Sequence, residues 1–202
     1  MSHYTGPKAK INRRLGMVIF ENAGAIRAFE RRKRPPGMAA RRRKVSEYGL
    51  ALMEKQKIKL YYGMNERQFK RLFNRATRMK GNTGENLMML CERRVDNVIC
   101  RGGLASTRPQ ARQGVTHTHF QLNGRTMNVP SIQVYSGDVI AVRNRENLQK
   151  FYRELVERTD IKPPEWLTFN SEKLEITVSA LPAYEDVSLP VEIDRVVALM
   201  TR

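Results

Sequence analysis

The sequence predicts an α+β protein: a basic N-terminal arm, helices through its first half, short antiparallel strands in its second half, and a closing helix. Three observations carry this. Apolar residues recur at helical spacing between about residues 46 and 100, an Asn-Gly pair separates two short β-prone runs, and positive charge is confined to one end of the chain. Residues 1–80 hold 22 Lys and Arg against 5 Asp and Glu, a surplus equal to the +17 of the whole chain, whereas residues 81–150 and 151–202 come to +4 and −4 and cancel.

A chain of 202 residues can bury roughly 70% of its unfolded surface and needs no covalent staples. Its 41% apolar content argues against wholesale disorder. No apolar run exceeds five residues (87–91 and 196–200), too short for a membrane span or a signal-peptide core. Cys91 and Cys100 lack CxxC pairing and His partners, so they read as small buried hydrophobes and not as zinc ligands. Reduced thiols predict a soluble, intracellular protein. The localised cationic surplus points to nucleic acid as the partner, with a tail kept for solubility as the alternative.

The first 45 residues combine Gly6-Pro7, Pro35-Pro36-Gly37 and the run Arg41-Arg42-Arg43-Lys44 with little helical periodicity, and they read as an arm that gains order against RNA. Ser46 is placed to cap a helix running to about Tyr62, which Gly63 ends. After Asn65, the residues Phe69, Leu72, Phe73, Ala76 and Met79 form one apolar stripe, while Arg67, Lys70, Arg71, Arg75 and Arg78 take the other positions. Glu66 is the only acid there, so no i,i+4 ion-pair ladder forms, and the basic face reads as phosphate-binding against the alternative of a merely solvated face.

Leu87, Cys91, Val95 and Val98 predict a helix from Asn86 to Cys100, stopped by Gly102-Gly103. Thr107-Arg108-Pro109-Gln110 has the form of a capping box opening a short helix that sets Arg108 and Arg112 on one side. Phe120 and Leu122 lead through Asn123-Gly124 into a returning strand over Arg125 to Val129, and Val139 to Val142 make a further strand. Leu174, Ile176, Val178 and Ala180 alternate with polar residues as a half-buried strand, and Glu192 to Met200 form the closing helix.

Little in the chain suggests bond-making chemistry. It has no Gly-rich phosphate loop of the Walker or dinucleotide type and no GxSxG elbow. His117-Thr118-His119 is the only His pair; on a strand both rings point to one side, as polar contacts to RNA or as a satisfied surface pair, since a metal needs further ligands. Asp96, within Arg93-Arg94-Val95-Asp96-Asn97, reads either as a catalytic carboxylate or as the partner of a neighbouring Arg or a cap. Glu185-Asp186 read as solvated acids.

Residues 92–143, with Glu-Arg-Arg-Val-Asp-Asn-Val, Ala-Ser-Thr-Arg-Pro-Gln-Ala-Arg-Gln, His-Thr-His, Asn-Gly-Arg, Pro-Ser and Gly-Asp-Val-Ile, resemble the RNA-binding module named after the fourth protein of the bacterial small ribosomal subunit. The resemblance extends outside it through Tyr4-Thr5-Gly6-Pro7, Arg13-Arg14-Leu15-Gly16, Arg34-Pro35-Pro36-Gly37, Ser46-Glu47-Tyr48, Glu54-Lys55-Gln56-Lys57 and Thr83-Gly84-Glu85-Asn86-Leu87, so nearly the whole chain is similar to that universal uS4 family. The resemblance implies an arm at 1–45, a helical domain at 46–91 completed by 181–202, an inserted RNA-binding module at 92–155 of helices on a small antiparallel sheet, and a strand-rich extension at 156–180. It implies a non-enzymatic constituent of the small subunit that binds its ribosomal RNA directly, nucleates assembly of the subunit body and contributes to decoding accuracy beside ribosomal proteins five and twelve. Messenger RNA is a further partner in keeping with it. A cytoplasmic or organellar ribosome fits, with no membrane and no cofactor.

Carried over by position, the RNA-facing residues are Arg108, Gln110, Arg112, Gln113 and His117 of the module. To these are added Lys8, Lys10, Arg13, Arg14, Arg34, Arg41, Arg42, Arg43 and Lys44 of the arm, and Lys55, Lys57, Arg67, Lys70 and Arg71 of the helices. The chain departs from many relatives in carrying Lys8-Ala9-Lys10-Ile11 where they have a zinc-binding Cys cluster, which makes it similar to the zinc-free form. It also has Gly102 in place of a larger apolar residue, Thr118 where glycine is frequent, and Ala198-Leu199 in place of an aromatic pair. The rival reading is an RNA-modifying enzyme that borrows the module; the 40 to 50 residues after it are too few for a catalytic domain.

Overall fold

The computed structural model describes residues 4–37, 45–158 and 162–201. The chain divides into two compact units, residues 1–85 with 189–202, and residues 86–188.

The first unit is helical. α1 (Lys8–Leu15) packs against α2 (Ala23–Arg31), burying Ile11, Leu15 and Ala25 with Ile19 and Phe20 of the connection. Asn12 is fully buried because it holds that connection: its Oδ1 accepts from the backbone of Ile19 and Phe20, both at 3.0 Å, and its Nδ2 donates to the Phe20 carbonyl at 3.1 Å. Each polar atom of the amide is therefore satisfied away from water. The stretch in which little helical periodicity was visible thus holds two helices. Two helices of eight and nine residues carry too few apolar positions to register as a period, and their stability comes from packing on each other.

Ser46 caps α3 (Glu47–Tyr61) by accepting from Gly49 N at 3.2 Å, and Gly63 turns the chain at φ 61°. α4 (Glu66–Ala76) opens with a reciprocal capping box between Asn65 and Gln68 and buries Phe69, Phe73 and Ala76, while Met79 beyond its end is exposed. α9 (Ile193–Met200) packs on α3 and buries Ile193 and Val196; Glu54 of α3 accepts from Glu192 N at 3.3 Å at its start.

α5 (Thr83–Glu92) leads into the second unit. The expected single helix from Asn86 to Cys100 is two: α5 ends at Glu92 and α6 (Val95–Arg101) begins after Arg94, whose ψ of 135° is extended. Residues 91–100 are buried throughout, so the apolar spacing runs on through a break that it cannot mark. At the break Arg94 bridges Gln133, and Val95 N donates to the Ile132 carbonyl at 2.9 Å.

α7 (Arg108–Thr116) follows, capped by Thr107. The sheet has the order β2-β1-β3-β5-β4 and is antiparallel throughout: β1 (Phe120–Leu122), β2 (Arg125–Thr126), β3 (Val139–Val142), β4 (Leu167–Asn170) and β5 (Glu175–Val178). The returning hairpin strand is two residues long and not five. Phe120 opposite Val142 and Ile140 opposite Ile176 put their side chains into one core with Val98, Ile99, Val115, Tyr152 and Trp166. α8 (Glu146–Glu157) contributes Tyr152, and neither α8 nor β4 was marked by the apolar spacing, although β4 falls in the stretch 156–180 that the resemblance gave as strand-rich.

Gly102 is explained by this core and not by its backbone, whose φ of −78° suits any residue. A Cβ there would lie 2.8 Å from Ile176 Cγ1 and 3.1 Å from the Val98 carbonyl, so a larger side chain has no room beside Ile176.

Candidate nucleic-acid interface

Within the first unit α4 and the turn after it offer the most open cationic surface. Arg67, Lys70, Arg71, Arg75 and Arg78 are all exposed, and among the described residues none of them makes an ion pair. Glu66, the acid at the head of the helix, is occupied from α3 by Lys55 and by Lys59 at 3.1 Å. Burial by itself raises the Glu66 carboxyl, but hydrogen bonds and charge from Lys55 and Lys59 outweigh it and hold the group below its ordinary value. The lysines of α3 thus neutralise the only acid on α4, which leaves the arginine face with its full charge. Lys55 and Lys57 were expected to face RNA; both are half-buried, and Lys57 is paired with Glu54.

In the arm Lys10, Arg14 and Arg34 are exposed. Arg13 donates to the carbonyls of Arg34 at 2.9 Å and Pro35 at 3.3 Å, fastening the segment after α2 to α1, and Lys8 lies 5.8 Å from the Phe20 ring centroid. Arg41, Arg42, Arg43 and Lys44 lie outside the described residues. Arg27, Arg31, Arg32 and Lys33 of α2 and its end are exposed cations that the site reading left out; their charge was visible, their exposure was not.

In the second unit the sequence-selected arginines do structural work. Arg94, with no exposed surface, grips Asp96 with two hydrogen bonds, Nε to Oδ1 at 3.1 Å and Nη2 to Oδ2 at 2.6 Å. Arg112 Nη1 reaches the same Oδ2 at 3.4 Å, and Asn97 N donates to Oδ1 at 3.0 Å. Burial opposes the charge of Arg94, yet Asp96 outweighs it and raises the group; for Arg112 burial and the facing Arg94 prevail over Asp96 and lower it. Asp96 is therefore the partner of neighbouring arginines, one of the readings held open by the sequence.

Beside this, Asn97 Nδ2 donates to Glu92 Oε2 at 2.6 Å while its Oδ1 accepts from Arg108 Nε at 2.8 Å. Arg108 also donates to Ser188 Oγ at 3.2 Å, and Ser188 returns a bond to Glu92 Oε1 at 2.9 Å. Together these bonds pin α7 to α6, so the exposed outer residues Gln113 and His117 are presented from a fixed helix. Gln110 spends its side-chain oxygen on Ser106 N at 3.0 Å, so the expected box at Thr107 is half formed.

The His pair is not on a strand. His117 caps α7 and Thr118 has φ 59°, which corrects the expectation of a strand there, and the two rings stand 5.9 Å apart at 82°, edge to face. His119 Nδ1 lies 3.0 Å from Tyr152 Oη; burial first, then the charges of His117 and Arg145, lower its proton affinity. Among the described residues no group of three or more His, Cys, Asp or Glu is arranged to hold a metal ion, and no helix is long and apolar enough to cross a membrane.

Two family models cover most of the chain: the ribosomal protein S4/S9 N-terminal domain matches residues 3–92 and the S4 domain matches residues 93–140. The small ribosomal subunit protein uS4 of Rhodopirellula baltica is 52% identical over 202 residues, covering 100% of both chains. The chain belongs to the uS4 family. Other uS4 relatives, from Chloroflexus aurantiacus and Halothermothrix orenii, are 45% and 44% identical over 208 aligned positions, again along the whole of both chains. Membership accords with the α+β class, and the model boundary at residues 92 and 93 falls at the break between α5 and α6.

Proposed function

We propose that this uS4-family chain is a structural constituent of the small ribosomal subunit that binds its ribosomal RNA directly and performs no bond-making reaction. The observation that carries the reading is the face of α4 and the turn after it, whose five exposed cations have no ion-pair partner among the described residues while the acid at the head of the helix is consumed by α3. A cationic surface with no internal counter-charge gains by releasing the counterions condensed on phosphates. Lys10, Arg14 and Arg34 extend this role to the arm, and the run Arg41 to Lys44 has the composition for it. Gln113 and His117 supply polar contacts, and Arg108 and Arg112 act through the placement of α7 as much as by their charge.

The family resemblance adds nucleation of subunit-body assembly and an influence on decoding accuracy beside proteins five and twelve, on ribosomes of the cytoplasm. Sedimentation of cell extract tests the reading. The protein is expected with the small subunit at physiological salt and in the free fraction only as salt rises; free protein at every salt concentration overturns it.

A further inference from the structure

We propose that Tyr135 is a stacking platform for an unpaired RNA base, its ring backed by the guanidinium of Arg93. The inference rests on the RNA-binding reading and adds to it one site and one ligand chemistry, a flat nucleobase presented out of a helix. Tyr135 is 55% exposed, and among the described residues no other ring lies against it. What it does touch is Arg93, whose Cζ sits 4.8 Å from the ring centroid.

The platform is held rigidly. Arg93 is buried and grips the preceding residue twice, its carbonyl accepting from Val134 N at 2.9 Å and its Nε donating to the Val134 carbonyl at 3.1 Å. Tyr135 N donates to Asp138 Oδ2 at 2.7 Å, Asp138 N returns a bond to the Tyr135 carbonyl at 3.2 Å, and Ser136 Oγ donates to the Ser179 carbonyl at 2.8 Å. Gly137 closes the turn at φ 89° and donates to the Val178 carbonyl at 2.8 Å. A turn fixed in this way, with Arg93 against one face of the ring it carries, loses little freedom when a base settles on the other face. Stacking accepts any base, because each has a π face, and the cation beneath the ring adds long-range attraction for an anionic strand.

The test measures binding of the full-length protein to a small-subunit ribosomal RNA transcript across a salt series, for wild type, Y135A and Y135F. Y135A is expected to weaken binding by roughly 5- to 100-fold, the range for loss of one base–aromatic stack, with the salt slope unchanged because no phosphate contact is removed. Y135F keeps the ring and is expected to bind within about 3-fold of wild type. Thermal melts check that the variants fold, as expected for an exposed side chain. Wild-type affinity in Y135A overturns the proposal. Equal losses in Y135A and Y135F overturn it too, since the hydroxyl would then be the contact. If Y135A binds RNA normally but fails to enter subunits reconstituted with the other proteins, Tyr135 meets a protein and the base-stacking proposal is overturned. Failure of wild type to bind the transcript refutes the RNA-binding reading itself, a distinct outcome.

Discussion

Replacing Asp96 by Ala leaves the guanidinium of Arg94 buried with its charge uncompensated. Arg94 has no exposed surface, two of its nitrogens bond Asp96, and Arg112 shares the same carboxylate. Removal of one partner from a buried ion pair costs about 3–5 kcal/mol, because the survivor cannot regain water without opening the core. With a urea m value of about 2 kcal/mol/M, the unfolding midpoint of the second unit falls by about 2 M at unchanged m. Trp166, the only tryptophan and buried in that core, reports the transition by fluorescence. Adding R94M to D96A removes the stranded charge and should recover part of the loss, so the double variant is more stable than the summed single effects. A midpoint shift below about 0.3 M for D96A, or a strictly additive double variant, refutes the picture of a buried and mutually dependent pair.

Other expectations concern charge and packing. Replacing Arg67, Lys70 and Arg71 together by Ala should flatten the dependence of RNA affinity on salt by up to about 0.7–0.9 per lost phosphate contact, read as the slope of log affinity against log salt; an unchanged slope removes α4 from the interface. G102A drives a methyl toward Ile176 Cγ1 at 2.8 Å and should destabilise the second unit by about 1–3 kcal/mol in urea melts, with I176V relieving part of the strain. Glu66 is held below its ordinary 4.5, so its pairing with Lys55 and Lys59 is fully present above that pH and is lost as pH falls through the lowered value. E66Q should abolish this part of the acid loss, and because Glu66 is half exposed the difference from wild type stays under about 1 kcal/mol after screening.

Periodicity made some elements readable and concealed others. The stripe from Phe69 to Ala76 announced α4 because one side is core and the other solvent. Around Cys91 to Cys100 every position is buried, so spacing gave no sign that the helix breaks at Arg94, where Asp96 and Gln133 take over its bonding. α8 did carry a signal, Leu148, Tyr152, Leu155 and Val156 at helical intervals, masked by the charged residues between them. β4 is four residues long, with only Leu167 buried and Phe169 half-buried on its inner face. The arm helices escaped notice because Asn12, a polar residue, does the work of a core position.

The candidate site divides in the same way. Charge is legible in sequence, so the cations of α4 and some of those in the arm could be named from it, but whether a cation is already spent depends on distant partners. Lys55 meets Glu66 of the next helix and Arg108 meets Ser188, separated from it by 80 positions. Tyr135 was passed over because nothing in its neighbours announces an exposed aromatic ring; the cation beneath it comes from a segment about 40 residues earlier.

Competition binding tests the central claim most directly: purified protein is offered labelled small-subunit ribosomal RNA together with an unlabelled, unrelated transcript of equal length, at several salt concentrations. The account predicts that the unrelated RNA competes far less well than the cognate RNA, and that absolute affinity falls steeply with salt. Equal competition by both transcripts would mean that the cationic face collects phosphate without recognising a folded partner, and would contradict the account.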